Sequence, residues 1–114
     1  DKSEINYTGR LNIKPTAQLT DSYLAHHTLM LSKDAKVHTI PSLEIEADDV
    51  KAGHAATIGK MDEDLIFYLE SRGIDKKTGQ NLLIKGFMES DLKQIPDETL
   101  RNLVAQEIEN SLPC

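Results

Sequence analysis

The chain has 114 residues, about the length of one compact domain, with a net charge of −6 and 28% charged residues. This acidity excludes broad binding to nucleic acid or to an anionic membrane, because phosphate groups attract basic surfaces. No apolar run approaches the roughly 20 residues of a membrane span, and no signal peptide is recognisable. The single cysteine, Cys114, excludes an internal disulfide framework and is typical of a reducing compartment, so we expect a cytoplasmic protein.

Residues 1–60 carry the signals of β-strands. Short runs alternate apolar and other residues at a period of two, and turn-forming residues separate them. Apolar positions recur at a spacing of 18, and a degenerate third copy follows at a spacing of 14: the sets are Leu11, Ile13, Ala17 and Leu19, then Leu29, Leu31, Ala35 and Val37, then Leu43 and Ile45. A repeated strand–turn–strand unit of this length favours solenoid coils that stack on one another, with an antiparallel meander as the alternative.

The solenoid interpretation makes specific expectations for these strands. We predict parallel strands over residues 5–58, with one set of apolar side chains facing inward: Leu11, Ile13, Leu29, Leu31, Leu43 and Ile45. Because the sequence opens at Asp1 within a strand-like pattern, we expect the chain to be a fragment of a longer protein. An open first coil also exposes unpaired strand edges, which predicts self-association into a homodimer.

Residues 61–114 change to the period of helices. Asp62, Glu63 and Asp64 place negative charge at the start of a first helix, and Gly73 supplies its C-terminal stop. Asp75 caps a second helix that carries Leu82, Leu83, Phe87 and Leu92, in which Gly79 and Gly86 either weaken the helix or permit close packing. Pro96 and Asp97 start a third helix, whose stripe is Leu100, Leu103, Val104 and Ile108. Three short amphipathic helices after a β unit form a cap or a docking module.

Histidines are the candidate site residues. Imidazole can ligate iron or relay a proton near neutral pH, and His54 is the best placed of the four; the alternative is a histidine hydrogen-bonded in a turn. His26 and His27 are adjacent, so they point to opposite faces of a strand and only one of them can share a site with His54.

A glycine-rich stretch, Gly53 to Lys60, superficially resembles a phosphate-binding loop. Five residues separate Gly53 from Gly59 where the motif has four, and Met61 replaces the hydroxyl residue that holds magnesium. We therefore expect no nucleotide binding by this chain.

The stretch from Leu43 to Phe87 resembles the core signature of the SufB/SufD family of iron–sulfur cluster assembly scaffolds. The matching runs are Asp48-Asp49-Val50-Lys51, His54 with Ala56-Thr57 and Gly59, and Phe67-Tyr68-Leu69 followed by Ser71-Arg72-Gly73-Ile74. Upstream, the order of Pro15, Ala17, Thr20-Asp21 and Leu29-Met30-Leu31-Ser32 also fits.

The resemblance implies a mainly β fold with an α appendage. Residues 1–60 would be the last rungs of a right-handed parallel β-helix, and residues 61–114 a three-helix C-terminal domain. It also implies a cytosolic complex in which the helical domain docks a SufC-like ABC-type ATPase. The β-helix pairs with a SufB/SufD-type partner or with a second copy, and the nascent cluster lies near that pairing.

The chain departs from the family pattern at three positions. Many SufD-like members have Cys where this chain has Ala52, SufB-like members often have Glu at Ala55, and His26 falls where SufB-like members carry Cys. Thiolates are the usual cluster ligands, so only His54 and His26 are candidate cluster or iron contacts. We expect a transient cluster in the full complex, none on the isolated chain, and a SufD-like or archaeal-type role.

The sequence thus predicts a non-catalytic scaffold subunit, with four partner-binding residues on the helices: Arg72, Phe87, Met88 and Leu92. One alternative is a purely structural protein-interaction module. The other is a histidine-based metal enzyme on a β-helix, which would need a Glu, Cys or Asp paired with His54, and the local sequence supplies none.

Overall fold

The computed structural model describes residues 2–112. Its elements are the strands β1 (Glu4–Ile13), β2 (Asp21–Met30), β3 (Lys36–Ile45) and β4 (Lys51–Lys60), then the helices α1 (Glu63–Ser71), α2 (Lys76–Leu92) and α3 (Glu98–Ser111). The chain divides into two compact units, Asp1–Lys60 and Met61–Cys114. The strands have ten residues each and the helices 9, 17 and 14, so the fold is mixed α/β and the prediction of a mainly β fold was wrong.

The four strands form two parallel sheets between which the chain alternates. β1 pairs with β3, and β2 pairs with β4, each over the full ten residues. The predicted parallel pairing over residues 5–58 is therefore confirmed, and the antiparallel alternative is wrong.

The register corrects the interval at which strands stack. Leu11 pairs with Leu43 and Ile13 pairs with Ile45. Paired residues are therefore separated by the sum of the two spacings of the repeat, 18 and 14 residues. Leu29, which lies only the first spacing after Leu11, belongs to β2 in the other sheet. Each spacing of the repeat therefore separates successive strands in different sheets, and only their sum brings two strands into contact.

The two sheets of the strand unit face each other through alternate side chains. Ile13 on β1 is only 3% exposed, and Gly9 is also buried. A Cβ placed on Gly9 would lie 3.1 Å from Leu24 Cδ2 on β2, so the absence of a side chain permits the close approach of the sheets. The odd-numbered side chains of β1 and the even-numbered side chains of β2 thus share one interior.

Part of the predicted inward set does not face this interior. Leu29 is odd-numbered and projects from the opposite face of β2, while Leu31 lies beyond the end of β2 and is 52% exposed. Ile45, at the end of β3, is 43% exposed. The inward prediction was wrong at Leu29 because the turn after β1 changes which parity points inward, whereas Ile45 shares the inward parity of its partner Ile13 and is exposed at the end of its strand.

The turns after β1 and β3 are hydrogen-bonded to each other. The Leu19 N–H donates to the Asp49 carbonyl at 2.6 Å, and the Asp49 N–H donates to Gln18 Oε1 at 2.9 Å. Leu19 has φ 64°, a left-handed conformation that is uncommon for leucine, and is 77% exposed. These bonds stack one turn on the other and fix where the chain crosses between sheets.

Each helix begins at an aspartate that caps it. The carboxylates of Asp62, Asp75 and Asp97 accept hydrogen bonds from the backbone N–H three residues further on, at 3.0, 3.0 and 2.8 Å. Gly73, with φ 87°, follows α1 in the left-handed conformation that ends helices. The predicted starts of all three helices and the stop of α1 are confirmed.

The helices pack through a small core. Ile66 on α1 is 4% exposed and Ile84 on α2 is 7% exposed. Leu82, predicted to lie on the apolar stripe of α2, is 48% exposed, and within residues 98–111 α3 buries no residue completely. None of the helices described is both long and apolar enough to cross a membrane.

Candidate functional site

His26 lies between the two sheets and contacts both β1 and β3. Its ring stacks on Tyr7 with ring centroids 3.9 Å apart, and its Nδ1 lies 2.7 Å from Thr39 Oγ1. The imidazole is part-buried, so one face and one nitrogen are held by the protein. Nε2 is the ring nitrogen outside this hydrogen bond, and it is the atom through which His26 could contact iron.

His54 projects from the same face of its sheet as His26. In the β2–β4 register His54 pairs with Leu24, and His26 pairs with Ala56. Residues paired in parallel strands point to the same side, so the two imidazoles are diagonal neighbours on the inner face. His54 is exposed, and it is the member of the pair that an external group can reach.

The other two histidines lie on outer faces. His27 Nδ1 is 2.8 Å from Thr57 Oγ1, on the side of the β2–β4 sheet opposite His26. His38 Nε2 is 3.8 Å from Glu4 Oε1 on the outside of the β1–β3 sheet. Of the adjacent pair, His26 is therefore the one that shares a face with His54.

The donor set on this face is small. No group of three or more His, Cys, Asp or Glu within residues 2–112 is arranged to hold a metal ion, and Cys114 lies outside the described residues. Iron–sulfur clusters in proteins take about four protein ligands. Two imidazoles supply half of such a set.

The interior beside His26 is partly polar. Ser22 Oγ and Thr28 Oγ1 are buried and have no hydrogen-bond partner among the protein atoms. Both side chains are even-numbered residues of β2 and so point to the same side as His26. Buried hydroxyls are normally paired, by protein or by ordered water, so this space suits water molecules next to the imidazole.

Two of the predicted partner-binding residues line a groove between α2 and α3. Met88 and Leu92 border a cavity of about 380 Å³ whose other apolar walls are Leu82, Ala105 and Ile108. A second hollow of about 430 Å³ on the same seam shares Met88 and Ile108 and continues to Leu103, Val104 and Leu112. We call these two cavities the α2/α3 groove.

Ion pairs lie along the rim of the groove. Lys85 on α2 binds Glu109 on α3, which links the two helices. Lys93 bonds Glu89 at 2.8 Å, and this hydrogen bond lowers the pKa of the Glu89 carboxyl. The groove is therefore an apolar surface bordered by charged side chains.

Phe87 and Arg72 do not border the groove. Phe87 is half-buried on α2 outside the residues that line it. Arg72 caps the C-terminus of α1, and its guanidinium carbon lies 5.4 Å from the centroid of the Tyr68 ring. Of the four predicted partner-binding residues, Met88 and Leu92 therefore border the groove.

Phe67 and Tyr68 were not among the predicted site residues. They are 72% and 52% exposed on α1. Neighbouring residues on a helix point about 100° apart, and a nine-residue helix that buries Ile66 cannot also bury both aromatic rings. This conflict was visible in the sequence and could have identified an exposed aromatic surface.

A comparison with protein families decides which group of proteins the chain comes from. The family model for the SUF system FeS cluster assembly SufBD core domain matches residues 1–87, which include all four strands, α1 and part of α2. The chain belongs to the SufB/SufD family. Both histidines of the inner face and the exposed aromatic residues of α1 lie within the part that defines this family.

Curated SufB/SufD relatives extend the likeness to the rest of the chain. The iron–sulfur cluster assembly protein SufD of Escherichia coli is 39% identical over 113 residues, 99% of this chain and 27% of that protein. A SufBD family protein of Synechocystis is 38% identical over 100 residues, 88% of this chain and 22% of that protein. SufD of Bacillus subtilis is 33% identical over 112 residues, 98% of this chain and 26% of that protein. The chain spans about a quarter of the length of these relatives.

Proposed function

We propose that this chain belongs to a non-catalytic, cytoplasmic scaffold subunit of an iron–sulfur cluster assembly complex. The observation that carries the proposal is the match to the SufBD core family over residues 1–87, together with relatives named as assembly proteins over nearly the whole chain. The role of SufD is preferred because SufD of Escherichia coli and SufD of Bacillus subtilis are both among these relatives.

In this proposal the strand unit is two coils of a parallel β-helix. Its support is the alternation of the chain between two parallel sheets, in which β3 returns beside β1 and β4 returns beside β2. The hydrogen bonds between the turns at Leu19 and Asp49 are those expected between stacked coils.

The strand unit also pairs with another β-helix subunit, either a SufB/SufD-type partner or a second copy. Each sheet contains two strands within the described residues, so each strand has one edge without a strand neighbour. Such edges accept an added strand through backbone hydrogen bonds. Pairing beside β4 would bring ligands from the second chain towards His54. A transient cluster would then be held jointly by the two chains, with the part-buried His26 on the same face as His54.

The helical unit docks a SufC-like ABC-type ATPase. The α2/α3 groove supports this role because its apolar walls are not filled by side chains of the unit itself, and helix-in-groove binding needs such a surface. Met88 is well suited to its position in both cavities because its flexible thioether adapts to a partner surface.

The test is a titration of the whole protein with the SufC-like ATPase by isothermal calorimetry. We expect binding, and a loss of at least about tenfold in affinity for Met88→Asp, because a carboxylate in the apolar groove is left unpaired on binding. Leu100→Asp is the matched control, since Leu100 lies on α3 outside the groove and is 50% exposed. Absence of ATPase binding by the unaltered protein would contradict the proposal and leave the structural interaction module as the better account.

A further inference from the structure

The inner face of the strand unit carries a buried hydroxyl that the protein itself does not pair. Thr28 Oγ1 is buried and has no hydrogen-bond partner among the protein atoms. His26 lies two residues earlier on the same face of β2, with its Nδ1 bonded to Thr39 Oγ1 and its Nε2 outside that bond. Residues two apart on a strand are separated by about 7 Å, and two hydrogen bonds through one small molecule span up to about 6 Å.

Tyr7, which stacks on His26, does not supply the missing partner. A Cβ placed on Gly9 would lie only 2.8 Å from Tyr7 Oη, so the tyrosine ring leans along β1 towards Gly9. β1 and β2 run in opposite directions across the interior, because Gly9 lies against Leu24 and Tyr7 lies against His26. The Tyr7 hydroxyl is therefore at the level of Leu24, on the other side of His26 from Thr28.

The other neighbours of Thr28 on the inner face are apolar and do not close this end of the interior. The opposite directions of β1 and β2 bring Ile5 to the level of Thr28, while Val37 pairs with Ile5 and Ile58 pairs with Thr28. Ile5 is 57% exposed and Ile58 is 53% exposed. A small molecule can therefore enter beside Thr28, and these three side chains offer it neither a charge nor a hydrogen bond.

We propose that His26 Nε2 and Thr28 Oγ1 together bind one ordered water molecule inside the strand unit. We call this position the His26–Thr28 water site, and it does not depend on the proposed scaffold role. Water fits because it is small and neutral, both donates and accepts hydrogen bonds, and is held inside proteins by two to four polar partners. An ion does not fit, since the apolar neighbours provide no charge to balance it.

The water site makes the two histidines of the inner face different in access. With Nδ1 bonded to Thr39 and Nε2 bonded to the water, both ring nitrogens of His26 are paired. An external group reaches Nε2 of His26 only by displacing the water, and it must then replace the hydrogen bonds that the water makes. His54 is exposed and is reached directly.

The experiment is a high-resolution crystal structure of the whole protein and of two variants. We expect one water within about 2.7–3.2 Å of both His26 Nε2 and Thr28 Oγ1. Thr28→Val, which replaces the hydroxyl by a methyl group of similar size, should remove this water. Ser22→Ala is the matched control and should leave it in place, because Ser22 is also a buried, unpartnered hydroxyl of this face but lies four residues from His26.

Melting temperatures give a second readout with opposite signs for the two cases. If the water is bound, Thr28→Val lowers the melting temperature because the water and Nε2 lose a partner, and Thr28→Ser, which keeps the hydroxyl, retains the water. If the hydroxyl is unpaired, Thr28→Val raises the melting temperature, because an unpaired buried hydroxyl is destabilising. A raised melting temperature, a dry site in the unaltered protein, or a protein atom bonded to Thr28 Oγ1 would overturn the inference.

Discussion

At the scale of single residues, His26 joins two sheets through a stacked ring and a hydrogen bond. Its contacts with Tyr7 and Thr39 are 3.9 Å between ring centroids and 2.7 Å between polar atoms. We predict that His26→Ala lowers the free energy of unfolding by about 1–3 kcal/mol, the combined range for an aromatic contact and a part-buried hydrogen bond. Urea unfolding measures the change.

His38→Ala is the matched control for this prediction, because His38 is exposed on an outer face and should change stability by no more than about 0.5 kcal/mol. Equal effects of the two substitutions would mean that the stack on Tyr7 does not stabilise the strand unit.

A second residue-scale prediction concerns the cap of α2. The hydrogen bond from the Thr78 hydroxyl, helped by that from the Thr78 N–H, lowers the pKa of the Asp75 carboxyl below its ordinary value of 3.8. Because the folded pKa is the lower one, the stabilisation is fully present above about pH 4 and is lost as the pH falls through the folded pKa. Thermal unfolding measured from pH 6 down to pH 2 should give wild type a higher melting temperature than Asp75→Ala only at the higher pH values. A carboxyl pKa for Asp75 at or above 3.8 by NMR would refute this cause.

Residue identity made some of these features predictable. Asp75 was identified as a cap, and Asp62 and Asp97 as residues at helix starts, because these signals depend on a few neighbouring residues. The opposite orientation of His26 and His27 also followed from strand alternation. Which of the two points inward did not, because that depends on the turn after β1, where Leu19 takes a left-handed conformation that no local rule assigns to leucine.

At the scale of elements, two glycines of the helical unit should respond in opposite ways to alanine. Gly86 lies within α2, and no atom lies within 4 Å of a Cβ placed there, so Gly86→Ala should stabilise the protein by about 0.5–1 kcal/mol. Gly73 has φ 87°, so Gly73→Ala should destabilise it by about 1 kcal/mol or more. Melting temperatures of the two variants, each against wild type, test this; a lower value for Gly86→Ala would contradict the account of α2.

The elements themselves were largely predictable, but their packing was not. The change from a period of two to a helical period located the boundary at residue 60 between strands and helices. The repeat could not show that its first spacing leads to the other sheet, because spacing alone does not distinguish half a coil from a whole one. Leu82 was named among the apolar residues of the second helix, yet it is 48% exposed, and Ile84, which was not named, is 7% exposed.

At the scale of the whole molecule, the strand edges that have no strand neighbour within residues 2–112 should make the chain associate. We predict a homodimer, seen in sedimentation equilibrium as a species of about twice the 12.7 kDa mass of the chain. A charged substitution at the edge, Thr57→Lys on β4, should weaken the dimer. Asn6→Lys, at an exposed residue of β1, is the control, because it should not disturb pairing through β4. A monomer at all concentrations would show that the edges are not used for self-association.

A further whole-molecule prediction follows from the donor set of the inner face. Reconstitution with iron and sulfide should give little stable chromophore on this chain alone, because His54 and His26 provide too few ligands. Visible absorption after desalting measures this. A band that survives desalting and disappears in His54→Ala would show that the imidazoles suffice, whereas a band that persists in this variant would place the cluster elsewhere.

The family and the parallel pairing of the strands were predictable at this scale, while the proportion of strand to helix was not. The runs around His54 and from Phe67 to Ile74 are specific enough to indicate SufB/SufD membership without a structure. The fold is mixed α/β and not mainly β because the three helices, with 9, 17 and 14 residues, together contain as many residues as the four strands of ten residues each.

The SufD-like scaffold role that we propose is tested by the activity of iron–sulfur enzymes in a bacterium that lacks its own SufD and produces the whole protein instead. We expect this activity to return with the unaltered protein and to fall with Met88→Asp at equal protein level. Activity that stays at the level of the deficient strain, with the protein folded and its partner subunits present, would rule out this role.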